Sequence, residues 1–321
     1  MKAIIRTTYG SADILESREI DKPVPKDDEL LLKVHAASVN PLDWHILRGE
    51  PFLVRLMGFG LLKPKHQILG ADMAGRIEAI GKNVTQFKVG DEVFGSGMGG
   101  FAEYACLREN TVAYKPANLT FEQVAAVPVA GLTALQALRD HGHLQSGQHV
   151  LINGASGGVG TFAVQIAKAL GAHVTGVCSE KNVEMVRSIG ADYVIDYTKE
   201  DYWASGKQYD LVIDNAAFYS IGKPLQALKA TGIYVGVGGS STTVSTLQSL
   251  IFNPIIAKMR GKRFVSFIAN VNQADLVFMK ELLETGKAVP VIDRNYSLGE
   301  TPQAIRYVEE GHTRGKVVIT I

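Results

Sequence analysis

"LINGASGGVG", residues 151–160, follows His149-Val150 and runs straight into "TFAVQIAKAL". An apolar strand ends at Asn153, a stretch of mostly Gly, Ala and Ser follows, and a helix-forming run begins. Two chemistries use such a strand–turn–helix. Gly154-Ala155-Ser156-Gly157-Gly158 satisfies the G-x-S-x-G elbow of a hydrolase, with Ser156 as nucleophile; Asp293 and His312 follow in the order that reading needs. Ala155-x-Gly157-x-x-Gly160 satisfies the dinucleotide fingerprint, with Ala replacing the first Gly. In that second reading the backbone of Ala155, Ser156, Gly157, Gly158 and Val159 approaches a pyrophosphate. The positive end of the helix faces it, and Gly160 lets the helix pack close to the strand. An elbow requires no third Gly at this spacing. A series of strand–helix units also starts at this turn instead of surrounding it. The stretch reads as a dinucleotide site.

Working outward, residues 124–269 alternate strand and helix. "HVLIN" (149–153), "HVTGVC" (173–178), "YVIDY" (193–197), "YDLVIDNA" (209–216), "GIYVGVGG" (232–239) and "RFVSFIA" (263–269) are continuous apolar runs, as a parallel sheet covered on both faces requires. Residues 1–123 have another rhythm. Short strands such as "LLLKVHAASV" (30–39), "MAGRIEAIG" (73–81) and "VGDEVFG" (89–95) are punctuated by Gly and Pro, which predicts a compact β-rich unit. Past residue 270 come helical stretches at 273–286 and 301–311 and a closing strand, "GKVVITI". The fold class is α/β: a doubly wound parallel-sheet domain (124–269) inserted into a β-rich domain (1–123 plus 270–321).

Bulk properties bound the function. The chain has 321 residues, 20% charged, with a net charge of +1 and no basic run, which argues against nucleic acid as partner. No apolar stretch reaches the roughly 20 residues a membrane-spanning helix needs. The N-terminus lacks a secretory signal. Two cysteines, Cys106 and Cys178, build no disulfide framework, so a reducing cytoplasm is expected. Both thiols read as small apolar fillers. His141 and His143 sit just past a helix end, where imidazoles suit the negative pole.

The motifs "SVNPLDW" (38–44), "LGADMAGRIEAIG" (69–81), "GDEVFG" (90–95), "FAEYA" (101–105), "AAVPVAGLTALQAL" (125–138), "NGASGGVG" (153–160) and "GKVVI" (315–319) together resemble the medium-chain dehydrogenase/reductase superfamily, in its zinc-independent quinone oxidoreductase branch. The resemblance covers essentially the whole chain. It implies a GroES-like catalytic domain around an inserted Rossmann domain, with the active site in the cleft between them. Zinc-dependent members carry a catalytic Cys, a Gly-His-Glu and four clustered cysteines. Here those positions read "SVNPLD" and Gly70-Ala71-Asp72, and two distant cysteines cannot build a four-thiolate site. No metal is expected.

Without zinc, alcohol oxidation lacks its Lewis acid. The resemblance implies instead hydride transfer from NADPH to quinones or to the activated C=C of α,β-unsaturated carbonyls, a small hydrophobic acceptor. It places Asn40 beside the nicotinamide, with Asp43 supporting the loop. Thr133 and the strand end at Gly236 and Gly238 line the nicotinamide half. His45 stands where relatives have Tyr; a protonated His45 donating to an enolate oxygen and a solvated loop His are both open. Trp44 is a pocket wall or core filler. Residues 51–66, "PFLVRLMGFGLLKPKH", roof the pocket, touch a membrane or pack inside. A homodimer through "RFVSFIA" is a further expectation, set against a monomer edge covered by a helix at 246–259. The class-level alternative is a sensor or scaffold that binds NADPH without turnover.

The nucleotide preference rests on the second strand. An NAD site usually ends that strand with an acid on the ribose 2′-hydroxyl. Here the tip reads Val177-Cys178-Ser179, with Glu180 beyond it and Lys181 next. Ser179 and Lys181 suit a 2′-phosphate, and the resemblance adds Tyr197 as a second wall. NADPH is therefore expected, with Glu180 swinging back to the ribose as the rival.

Overall fold

The computed structural model describes residues 1–216, 221–238 and 251–321. In chain order the strands are β1 (Lys2–Ile5), β2 (Glu16–Glu19), β3 (Glu29–Val39), β4 (Asp72–Ile80), β5 (Glu92–Ser96), β6 (Tyr104–Arg108) and β7 (Val112–Tyr114). Then come β8 (His149–Asn153), β9 (His173–Cys178), β10 (Tyr193–Asp196), β11 (Tyr209–Asp214), β12 (Leu228–Gly236) and β13 (Arg263–Ser266). The chain closes with β14 (Ile292–Ser297) and β15 (Lys316–Thr320). The first helices are α1 (Pro41–Arg48), α2 (Phe121–Ala125), α3 (Pro128–Gln136), α4 (Gly158–Ala169) and α5 (Val183–Ser188).

Two compact units result. One comprises Met1–Leu132, Val271–Gly286 and Pro290–Ile321; the other comprises Thr133–Asn270 and Lys287–Val289. The first unit therefore takes in α2 and the start of α3, which the sequence rhythm places with the second domain. A hydrogen bond ties α3 to this unit: the Val129 amide donates to Asp72 of β4 at 2.9 Å.

The first unit is built on a sheet ordered β14-β15-β3-β4-β5-β7, with β6 pairing β3 and a separate antiparallel β1–β2 hairpin. The long strand β3 alternates little because both its faces are covered. Leu30, Leu32, Met73, Ile77, Phe101 and Leu107 are essentially inaccessible in one core. Each such side chain contributes about 1.5–3 kcal/mol of burial. β15 pairs antiparallel with β3, Val318 opposite Ser38, so the last strand completes the sheet begun by the first quarter of the chain.

The second unit holds a six-stranded sheet, order β10-β9-β8-β11-β12-β13, with every pairing parallel. Order reverses between β9 and β11 around β8, and such a reversal leaves a crevice at the carboxyl ends of the strands. The glycine turn after β8 lies at that point. The helix expected over 246–259 is seen as Asn253–Met259; residues 246–250 lie outside the described part. Among the described residues, no helix is long and apolar enough to cross a membrane.

Candidate active site

The turn between β8 and α4 is held against β9. Gly154 and Ala155 donate their amides to the Val177 carbonyl at 3.1 and 3.0 Å. Gly154 has φ +73°, a left-handed conformation that Gly adopts without strain. Gly160 faces the turn so closely that a Cβ there would lie 2.1 Å from the Gly154 carbonyl oxygen. This contact draws α4 onto the end of β8. Gly157 caps the helix, and the first-turn amides of Gly158, Val159 and Gly160 are those a helix leaves without internal partners. Ser156, Gly157, Gly158 and Val159 are half-buried while Ala155 and Gly160 are buried. Ser156 Oγ accepts from the Asn182 amide at 3.1 Å, and an amide cannot take its proton. Asp293, the acid of the hydrolase reading, accepts from the Tyr307 hydroxyl at 2.7 Å. The cradle fits a pyrophosphate.

At the tip of β9, Asn182 is buried and donates its amide to both Ser156 and Ser179, at 3.1 and 3.2 Å. Its Oδ1 is buried without a hydrogen-bond partner. One side chain thus ties the pyrophosphate turn to the turn that would hold the ribose. Glu180 is paired with Lys199 at 2.5 Å, and Lys199 also lies 3.6 Å from Asp196. The rival ribose acid is thereby engaged away from Ser179. Lys181 and Tyr197 are both exposed, and Tyr197 N donates to the Cys178 carbonyl at 3.1 Å.

Beneath the glycine turn, Asn153 Nδ2 donates to Asp214 Oδ1 at 2.8 Å, and the Tyr234 hydroxyl donates to Asp214 Oδ2. All three are buried. Burial first, and the Asp214 charge second, push the Tyr234 phenol well above its ordinary range. Gly236 ends β12 opposite Asp214, and the Val237 amide donates to the Asp214 carbonyl at 2.9 Å; Gly238 follows, exposed, with φ +89°. Thr133 is half-buried on α3.

In the first unit, Asn40 caps α1 and lies in a cluster of buried charges. Asn40 Nδ2 donates to Asp72 Oδ2 at 2.9 Å, Ser38 Oγ donates to the same oxygen at 3.0 Å, and Lys316 Nζ donates to Asn40 Oδ1 at 2.5 Å. Lys316 Nζ lies 3.6 Å from Asp72. Asp43 accepts from the amides of Asn40 and Gly70, at 2.8 and 3.1 Å. Burial pushes the Asp43 carboxyl up to about 7, with neighbouring Asp72 adding to the rise. Burial also raises Asp72 and lowers Lys316, each against the attraction of the other. Asp72 stands at the Glu of the Gly-His-Glu that zinc-dependent members carry, beside Ala71 at the His. Here both its oxygens are taken by protein donors and an ammonium supplies the positive charge. Among the described residues, no three His, Cys, Asp or Glu side chains gather as a metal would require.

His45 departs from both expectations. It is buried in the last turn of α1, its ring stacked on Trp44 with centroids 3.6 Å apart and its Nδ1 2.8 Å from the Glu50 carbonyl. Burial pushes its pKa below the ordinary imidazole value. The ring is therefore neutral near pH 7, with its proton on Nδ1 and directed at Glu50. It is neither a protonated donor nor a solvated loop residue. Trp44 is half-buried against the core. Burial raises both thiols, Cys106 and Cys178, to about 11, as apolar fillers require.

Asp72, Lys316, Asn182, Asp214 and Tyr234 escaped the sequence reading. A signal existed for two of them: Lys316 is the one charge opening the apolar strand "KVVIT", and Asp214 closes the apolar run "YDLVID". A charge at the end of such a run needs a buried partner.

The chain matches the family described as alcohol dehydrogenase GroES-like domain over residues 26–117 and the one described as zinc-binding dehydrogenase over 189–319. It is similar to the mitochondrial NAD(P)H oxidoreductase of Bos taurus, 34% identical, covering 100% of this chain and 89% of that protein. It is 35% identical to the 2-methylene-furan-3-one reductase of Solanum lycopersicum, over 99% of this chain and 79% of that protein. Among solved structures, the quinone oxidoreductase from Coxiella burnetii superposes with a TM-score of 0.88 at 32% identity, covering 100% and 99% of the two chains. The bovine relative's name places it in mitochondria, so these relatives lend the cytoplasmic expectation no support.

Proposed function

The chain belongs to the quinone oxidoreductase branch of the medium-chain dehydrogenase/reductase superfamily, and on that premise we propose that it is a zinc-independent reductase using NADPH to reduce quinones or the activated C=C of α,β-unsaturated carbonyls. The observation that carries the cofactor half is the β9 tip: Lys181 is exposed beside a half-buried Ser179, while Glu180 is held by Lys199. A 2′-phosphate finds a hydroxyl and an ammonium there, and no free carboxylate to repel it.

Bound NADPH supplies the hydride. The protein's part is positioning. The first-turn amides of α4 hold the pyrophosphate, and Asn182 fixes Ser156 and Ser179 on either side of it. The acceptors in this class are already electron-poor, so they need orientation more than Lewis-acid activation. In the first unit, Lys316 and Asp72 lock the Asn40 amide and so fix the start of α1, which carries Trp44. Asn40 thereby acts as a positioning residue. The homodimer remains part of the proposal, with β13 as the edge strand that would pair.

The test follows NADPH consumption with a panel of quinones, enals, enones and aldehydes, with and without a chelator. Turnover with quinones or enones that chelation leaves intact is expected. Loss of turnover on chelation would overturn the zinc-free reading. A melting shift with NADPH but no turnover across the panel would make the protein a nucleotide-binding sensor or scaffold instead.

A further inference from the structure

We infer that residues 52–65 form a docking surface for an anionic phospholipid bilayer. This segment exposes Phe52, Leu56, Met57, Leu61 and Leu62, each at least half accessible and Leu62 at 87%. Monomeric proteins rarely present so many large apolar side chains in one short stretch without a use for them.

The exposure is built in. Arg6 is fully buried and donates through Nε to the His66 carbonyl at 3.1 Å; its Nη1 reaches the carbonyls of Ile46 and Leu47 at the end of α1. The Tyr9 hydroxyl donates to the Phe59 carbonyl at 2.9 Å, and Arg55 donates to the Gly49 carbonyl at 3.0 Å. Val54 and Phe59 pack inward on the core. The backbone is thus pinned at both ends and in the middle, and the remaining apolar side chains are left at least half accessible.

Charge selects the occupant. Residues 51–66 contain Arg55, Lys63 and Lys65 and no Asp or Glu. Lys63 and Lys65 are exposed directly beside Leu61 and Leu62. Apolar tips with a cationic rim match the boundary between acyl chains and anionic headgroups. A second copy of the chain fits poorly, because a two-fold contact sets the same patch against itself and opposes its own cations. The inference is independent of the redox reading.

The test mixes the full chain with phosphatidylcholine–phosphatidylglycerol vesicles and with pure phosphatidylcholine vesicles, and measures the bound fraction by flotation. Binding to the anionic vesicles that weakens with salt is expected. Lys63→Glu with Lys65→Glu should lower partitioning by at least about thirty-fold. Leu56→Ser with Leu62→Ser should lower it by at least about tenfold. Unchanged melting temperatures establish that both variants fold. The inference is overturned if the unmodified chain ignores anionic vesicles, if it binds neutral ones equally, or if the serine variant binds as before. It is likewise overturned if the serine variant binds vesicles normally and instead raises the acceptor KM, which would make the segment a pocket roof.

Discussion

Lys316 donates to the amide oxygen of Asn40 at 2.5 Å, across 276 residues of chain, and both are almost fully buried. The bond fixes the start of α1 from a strand at the other end of the sequence. It also leaves Asp72 with the only ammonium paired to it among the described residues.

Lys316→Met should therefore cost more than a lost hydrogen bond. It would strand a buried carboxylate beside an unsatisfied amide, a loss of about 3–5 kcal/mol. Denaturant titration would measure it. Lys316→Met combined with Asp72→Asn should recover a large part of that loss; a double variant no better than the single one would show that the two charges are not coupled.

Asp43 makes stability depend on pH in an unusual direction. Its folded pKa, about 7, lies above the ordinary carboxyl value, so between about pH 4 and 7 the folded form binds a proton the unfolded form has released. Stability contributed by this group is present at low pH and is lost as pH rises to 7, by no more than about 1.4 kcal/mol per pH unit. Lowered carboxyls such as Asp192 and Asp210 act the opposite way, and below that window. Urea titrations at pH 5 and 7 should show Asp43→Asn, although less stable, losing much of the decline between them. An identical slope in the variant would remove Asp43 as its source.

At the β9 tip, Lys181→Ala should weaken NADPH by roughly 1.5–3 kcal/mol, on the order of ten- to a hundredfold, and leave NADH nearly unchanged. Fluorescence titration with both nucleotides reads this directly. Equal affinity for NADH and NADPH in the unmodified protein would contradict the assignment of Ser179 and Lys181.

Lys199→Ala tests the same tip from the other side. It releases Glu180, now free to reach the ribose or to repel a phosphate. Preference should shift toward NADH by several-fold, with little change in melting temperature, because both partners are exposed. A preference that does not move would mean Glu180 never reaches the nucleotide.

Gly160→Ala places a methyl group 2.1 Å from a carbonyl oxygen that is itself part of the turn. The helix must retreat, at a cost of about 1–3 kcal/mol in stability. Affinity for NADPH and NADH should fall together, since the pyrophosphate seat is common to both. A selective loss of one nucleotide would place Gly160's role elsewhere.

What the sequence made legible follows from local physics. The six apolar runs between 149 and 269 became the six parallel strands, and burial on both faces leaves an unbroken apolar signature in the central β8, β9 and β11. The glycine turn was legible because a helix that must approach the end of a strand as closely as Gly160 does forbids a side chain there. The buried charges were not. Asp72, Asn40 and Lys316 look like surface residues until β15 is laid against β3, since only pairing makes their burial tolerable. His45 was misread for a related reason: "NPLDWH" shows a loop-like Asn-Pro start, whereas Pro41 opens a helix that carries His45 inside.

The return of β15 to β3 also sets a timetable for biosynthesis. Asp43 and Asp72 leave the ribosome well before Lys316, which follows them by 273 and 244 residues. At about 5–20 residues per second the interval is roughly 12 to 55 seconds. Through that interval the nascent first unit has its acids without its cation, and residues 36–39 of its central strand lack the partner that β15 supplies, while β6 already pairs residues 29–33. The nucleotide-binding unit, complete once residues 287–289 emerge, finishes while its neighbour still waits. A newly made chain would therefore acquire its cofactor cradle before the unit that carries Asn40 has closed.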